Sequence, residues 1–593
     1  MISMRFTANR LDSIFRTVAS FTLVMGLMPV SLAYQEEAPS DGAPEAIVAA
    51  AEITDDPGLI RLIEEARVID GAQRNIEVLT RYFPRRLTGS ELLKLAQDWA
   101  IGAFEDWGVE AHLEQWGEVP VGFERGPASG RVLSAGDREL TFTTACWTPG
   151  TVGAEAGPAL IEPLSFEELE GLAGKFAGAW ILRNPKVSRR DRGKFDDFYR
   201  EVGVLGTVRA GTRDGRILTS GSWDIEWDDL PTLVKITVLF DEFTLLTDEI
   251  KAAEESGGEP VRLEFNIENQ FLHGPIPQYN VVAEIKGSEW PDEFVIVQGH
   301  IDAWDGAQGA CDNGTGCATT MEVARLIMVA KIKPRRTIRF VLYSGEEQGL
   351  HGSKGYVDLH IDELEKTSVV LNHDNGTNYL AGIGPTASML ADFQEVFAPA
   401  TRLDPTRPFD VHEVESLVPG PSDHAPFISA GVPGFHWDQS KAGYRRLHHT
   451  QFDTLEEVNA EDQAHSVLVI ATAAIGFANL DHLVDRSFMR EPDPRRMGVF
   501  LGGEGSHFID RVTPDSRAAQ AGWLAGDEIV LIDGSEMESG RGALVDALQA
   551  GEPQKIITIK RGEELIETVL DFTDDPVETE RKAWRERQSA REA

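Results

Sequence analysis

The chain has 593 residues, 42% hydrophobic and 26% charged, which is enough for three or four globular domains. Asp and Glu number 97 against 56 Lys and Arg, and the formal net charge of −41 excludes nucleic acid and disfavours an anionic membrane surface. Three cysteines, Cys146, Cys311 and Cys317, exclude a disulfide-built scaffold; a Cys311–Cys317 bond and buried thiols both stay open.

Residues 1–33 read as a secretory signal. Arg5, Arg10 and Arg16 precede an apolar run, 18–30, that is short for a membrane span, and Ser31 and Ala33 supply small residues for cleavage. A linker follows at 34–54, acidic and rich in Ala and Pro. A secreted or periplasmic product is expected, with a membrane anchor only if the segment stays uncleaved. Within 55–108, Leu59, Leu62, Ile63 and Ala66, then Leu92, Leu93, Ala96, Trp99 and Ala100, recur at helical spacing. Between them FPRRLTGS, 83–90, is a turn in which Thr88 or Ser90 can cap the next helix.

From about 117 to 272 the pattern becomes short apolar runs, at 159–161, 178–182, 204–208 and 233–238, between Gly-rich turns. This predicts a mainly β module of mixed type without a catalytic cluster. Its basic string RRDR, 189–192, reads as a solvated loop. An α/β rhythm then sets in: strands at 279–285, 294–298, 337–343 and 368–371, helices at 316–330, 387–398 and 463–480, and a segment at 431–437. The alternation predicts a three-layer α/β sandwich on a mixed, mainly parallel sheet, with sites beyond the carboxyl ends of the strands. A polar stretch, 485–495, leads to a compact module, 496–572, and a charged tail, 573–593.

The strand ends carry the chemistry. The strand at 294–298 delivers His300 and Asp302, then a glycine-punctuated loop to Asp312. The strand at 337–343 delivers Glu346 and Glu347, that at 368–371 delivers Asp374, and His448 and His449 come later. Imidazole and carboxylate suit zinc, and a pair of ions needs a bridging carboxylate flanked by ligands. Asp312 could bridge, His300 and Asp374 could complete one site, and Glu347 and His449 the other. Glu346 is then free to act as general base on a metal-activated water. Asp302 could accept the other ring proton of His300 and fix its tautomer. Asp305 reads as a loop-structuring residue. His424, within PSDHAPF at 421–427, reads as part of a helix cap and a candidate to stand behind the site.

GHIDAWDGAQGACDNGTG at 299–316, SGEEQG at 344–349, NHDNGT at 372–377 and HHTQFDT at 448–454 resemble the co-catalytic zinc exopeptidases of metallopeptidase family twenty-eight, in its carboxypeptidase Q-like branch. FPRRLTGS and Asp98-Trp99 resemble that family's N-terminal segment. The resemblance spans roughly 55–118 and 275–482. It implies two zinc ions held by His300, Asp312, Glu347, Asp374 and His449, with Glu346 as base. His448 is the rival of His449; the family motif places the ligand four residues before the Asp of the Asp-Thr pair, which favours His449. The implied catalytic domain is 55–118 with 273–484, and the insertion 119–272 is similar to a protease-associated domain. VTPDSRAAQAG at 512–522 and LAGDEIVLIDG at 524–534 resemble a PDZ domain, with Gly498, Val499, Phe500 and Leu501 at the carboxylate loop. Such a domain implies capture of a C-terminal peptide by strand addition. The implied activity is aminopeptidase or dipeptidase action on small peptides. The rivals are an inactive, receptor-like peptide-binding protein and a glutaminyl cyclase, and the intact ligand set disfavours both.

Overall fold

After a single helical turn, Ala50–Ile53, three longer helices precede the first strand: α1 (Pro57–Val68), α2 (Gly71–Tyr82) and α3 (Glu91–Asp106). The structure, a computed structural model, describes residues 48–593 except 135, 189, 441, 503–506, 538–540 and 593; the expected signal segment lies outside the described residues. Asp56, Asp70 and Ser90 accept first-turn amides and so cap the three helices. Ser90 therefore takes the capping role, and Thr88 is buried for another use.

The central layer continues through β1 (Glu110–Glu124), β2 (Gln270–Ile285), β3 (Trp290–His300), α4 (Thr315–Val329), β4 (Arg336–Tyr343), α5 (His351–Leu359), β5 (Thr367–Asn372), β6 (Gly434–His436) and α6 (Ala460–Asn479). The sheet order is β1-β2-β4-β3-β5-β6. β4, β3, β5 and β6 run parallel, and β2 and β1 join antiparallel at one edge. Side chains alternate between two apolar cores. Val295, Val297, Ile338, Phe340 and Leu342 face the layer of α1–α4 and α6. Ile296, Val341 and Tyr343 face the opposite core with Tyr356 of α5. The expected three-layer sandwich on a mixed, mainly parallel sheet is thus present. α6 is buried on nearly all sides, which explains its weak polar face. Among the described residues, no helix is long and apolar enough to cross a membrane.

The β1–β2 ladder runs from Glu110 opposite Glu284 to Glu124 opposite Gln270. It passes through both expected domain boundaries, so the chain enters and leaves the insertion along one two-stranded ribbon. The insertion has its own eight-stranded sheet and core, in which Glu155–Ile161, Trp180–Leu182, Gly206–Ala210 and Val234–Val238 are parallel neighbours. Arg192, expected in a solvated loop, instead pairs with buried Glu162 at 2.6 Å, as Arg183 does at 2.7 Å. A buried carboxylate needs such partners, and that need is invisible in a local string.

The C-terminal module packs around Met497, Ile509, Trp523, Ile557 and Phe572. The charged tail is a helix, Glu578–Glu592. Fully buried Arg495 ties linker, module and tail together. Its guanidinium donates to the carbonyls of Leu548 and Gln549, at the end of helix Arg541–Gln549, and of Ala550, Gly551 and Glu552 just beyond it, and pairs with Glu578. These are the orphan acceptors that every helix end leaves. Arg495→Ala removes the donor of these carbonyls while Glu578 keeps Arg581 and Arg585, and is expected to destabilise the module by about 1–3 kcal/mol. Amide hydrogen exchange should quicken across 554–571 and stay unchanged in the central sheet.

Candidate metal centre

His300 ends β3 at its carboxyl edge and is almost fully buried. Its Nδ1 donates to the carbonyl of Asp302 at 3.0 Å. Its Nε2 faces Asp312 Oδ1 and Asp374 Oδ1, each at 3.3 Å. Asp312 turns its other oxygen, Oδ2, to His449 Nε2 at 3.3 Å, and Glu347 Oε2 stands 2.9 Å from that same nitrogen. One carboxylate therefore faces two histidines from distant parts of the chain. Glu346 lies beside this set, its Oε2 3.9 Å from His300 Nε2.

Two groups among the described residues bring their donors within 4.8 Å of one another: His300, Asp312 and Asp374, and Asp312, His448 and His449. His448 stacks on His449 but its Nε2 is 3.8 Å from Asp312, and the close Glu347 contact is made by His449. Donors around a tetrahedral ion at about 2.0–2.1 Å stand about 3.3 Å apart, close to the spacings here. Asp312 Oδ2 and Glu347 Oε1 are buried without a hydrogen-bond partner. Burial and the neighbouring Asp312 push the Glu347 carboxyl up to about 7. Burial, only partly offset by His300, holds Glu346 well above the usual carboxylate range. Burial pulls the His300 ring down, but Glu346 and Asp374 outweigh it and hold the ring well above the usual imidazole range. Acids crowded this way lack positive charge, and divalent cations supply it. The residues present fit a metal.

The supporting network corrects one expectation. Asp302 orients His300 through its backbone carbonyl, while its carboxylate is 3.6 Å from the ring. That carboxylate instead accepts from Thr88 Oγ1 at 2.9 Å and the amides of Glu346 and Glu347 at 3.4 and 3.3 Å. Thr88 Oγ1 also receives the Gly345 amide, so FPRRLTGS is tied to the loop that carries Glu346. Two positioning residues went unrecognised in the sequence. Asp453 accepts the amides of Cys311 and Asp312, at 2.6 and 3.3 Å, and so places Asp312. Arg86, fully buried, donates to the carbonyls of Phe83, Ile301, Gln308 and Gly309 and satisfies a loop with no ladder of its own. Both sit in quoted motifs, and that is the signal that could have found them.

Gly316 is required by close approach: a Cβ there would lie 2.2 Å from the His373 carbonyl oxygen. His436 Nε2 meets the carbonyl of Asp374 at 3.0 Å, and His424 stands behind His436 without touching a donor of the centre. Asp305 forms a buried ion pair with Arg125 at 2.7 Å and accepts the Cys146 thiol. All three cysteines are free and buried, and Cys317 donates to the His300 carbonyl. A cavity of about 490 Å³ opens onto the centre, walled by Asp312, Glu346, Glu347, Asp374, Tyr444 and His448 among others, and no Lys or Arg is among its described lining residues.

Residues 280–474 match peptidase family M28. Sheet, strand-end donors and this match mark the chain as a metallo-exopeptidase hydrolase whose residues 280–474 are similar to that family. Within the class, the chain is similar to carboxypeptidase Q. It is 28% identical to the Rattus norvegicus protein over 414 residues, covering 68% of this chain and 84% of that one. It is 27% identical to the Homo sapiens protein over the same length and the same shares. Its fold is similar to the crystal structure of a peptidase M28 precursor from Shewanella amazonensis, at 25% identity and a TM-score of 0.55, covering 73% of this chain and 99% of that one.

Asp302→Asn keeps the carbonyl that orients His300 and disturbs only the carboxylate that holds the Glu346 and Glu347 amides. Peptidase turnover should fall about 10–100-fold with metal content unchanged, as measured by elemental analysis beside a rate assay.

Proposed function

We propose that the chain is a secreted or periplasmic di-zinc exopeptidase that cleaves short peptides from their amino ends. The observation that carries this reading is Asp312, whose two oxygens face His300 on one side and His449 on the other. His300 and Asp374 would hold one zinc, Glu347 and His449 the other, and Asp312 would serve both. Zinc held there supplies Lewis acidity for hydrolysis. Glu346 takes a proton from the attacking water and returns it to the leaving amine. Its raised affinity for protons suits that return. The acidic cavity, without Lys or Arg among its described lining, favours a free α-amino group over a free carboxylate. The signal-like segment 1–33 supports export.

The insertion is read as a protease-associated domain and residues 496–572 as a PDZ domain able to take a C-terminal peptide at Gly498, Val499, Phe500 and Leu501. Strand Val499–Leu501 pairs with Ile509–Val512 and alternates half-buried Val499 and Leu501 with exposed Phe500, a pattern that supports strand addition.

A digest of a peptide library read by mass spectrometry, with chelator and zinc add-back, tests direction and metal need together. Loss of amino-terminal residues in a zinc-dependent manner is expected, and trimming from the carboxyl end would reverse the assigned direction. Glu346→Gln should keep zinc and fold while losing about 10²–10⁴ in rate. Near-normal hydrolysis by that variant would refute the base.

A further inference from the structure

The insertion reaches the metal centre through residues 215–219, which lie along the loop carrying His449. The Thr219 amide donates to the His449 carbonyl at 2.9 Å, and Leu218 and Thr450 form an antiparallel bridge. Gln451 closes the contact with both ends of its side chain. Its oxygen accepts the Ile217 amide at 2.8 Å, and its nitrogen donates to the Gly215 carbonyl at 2.8 Å. Arg216 adds a bond to the carbonyl of Arg445 at 3.0 Å. His449 itself has φ +56°, a left-handed conformation that a non-glycine residue keeps only where its surroundings hold it. The insertion provides that hold.

A second observation is independent of these bonds. The Thr219 hydroxyl and the Trp304 indole N–H are hydrogen-bond donors without a partner, and their side chains are 2% and 8% exposed. Both residues line one small cavity together with Asp312, Glu347 and His449. Its volume is about 10 Å³, the room of one water. Gly306 permits the approach, because a Cβ there would lie 1.7 Å from Thr219 Oγ1. The indole N–H only donates and the hydroxyl can donate or accept, so one water in this cavity would satisfy both.

We propose that Thr219 and the strap around it, supplied by the insertion, are positioning elements of the His449 half of the centre. The strap holds the His449 backbone. The Thr219 hydroxyl and Trp304 indole bind one water-sized oxygen ligand beside Glu347 and Asp312. The proposal rests on the metal-dependent reading above and adds a role for the insertion that the strand-end ligands do not include.

The test uses the full chain and two readouts that need no turnover: amide hydrogen exchange of 447–453 in metal-free protein, and zinc affinity by competition with a chromogenic chelator. Gln451→Leu severs both side-chain bonds. It should speed exchange of that loop about 10-fold or more and weaken one zinc equivalent about 10–100-fold, leaving the other unchanged. Thr219→Val keeps shape and backbone bond, so exchange should stay at the wild-type rate while the same zinc equivalent weakens about 10-fold. Thr219→Ser should restore it. Wild-type exchange and zinc affinities in both Gln451→Leu and Thr219→Val would overturn the proposal, as would a Ser variant as impaired as Val. If Gln451→Leu does not fold, the Val and Ser pair decides. A wild-type chain that binds no zinc overturns the functional reading and the oxygen-ligand pocket with it, and the exchange comparison then decides the strap alone.

Discussion

A single carboxylate, that of Asp312, faces two imidazoles that arrive from opposite directions, and much of the catalytic layer is arranged to keep it there. Its amide is held by Asp453, and its loop is wrapped by Arg86. Around it stand Glu346, Glu347 and Asp374, half-buried acids that repel one another. The cluster is costly for the protein alone. Cations relieve that cost, so the same arrangement that opposes folding favours binding.

The parallel strands explain how such a cluster can be assembled. β3, β4 and β5 lie side by side and end on one edge of the sheet, so the residues just after each strand meet without long excursions. Apolar side chains on both faces settle the register of these strands, since a shift of one residue would exchange the two cores. The loops beyond the strands have no ladder to satisfy their polar groups. Thr88, Arg86, Asp302 and Asp453 do so instead, and each is buried. Precision at His300, Asp312, Glu346 and Glu347 therefore comes from polar groups one layer further out.

The two added modules relate differently to this centre. The insertion leaves the central sheet on a continuous ribbon and returns contacts to the His449 loop, so its structure bears directly on the site. The C-terminal module has a separate core and is fastened by Arg495 to the linker and tail helix.

The α/β rhythm of 279–480 was legible because apolar runs of strand length alternate with helical periodicity, and a strand buried on both faces leaves a continuous apolar run. His300, Asp312, Glu347 and Asp374 could be selected because each follows such a run, and local order in a sequence survives folding. The sequence determined the layer architecture, the donor types and their place at strand ends. Tertiary structure alone decided which atom of Asp302 orients His300, that Ser90 caps while Thr88 bridges, that Arg192 seeks a buried glutamate, and that residues 215–219 hold His449. Those outcomes depend on backbone groups and buried polar atoms meeting in space, some of them, like Thr88 and Asp302, 214 residues apart in the chain, and hydrogen-bond geometry of that kind leaves no periodic trace in the sequence.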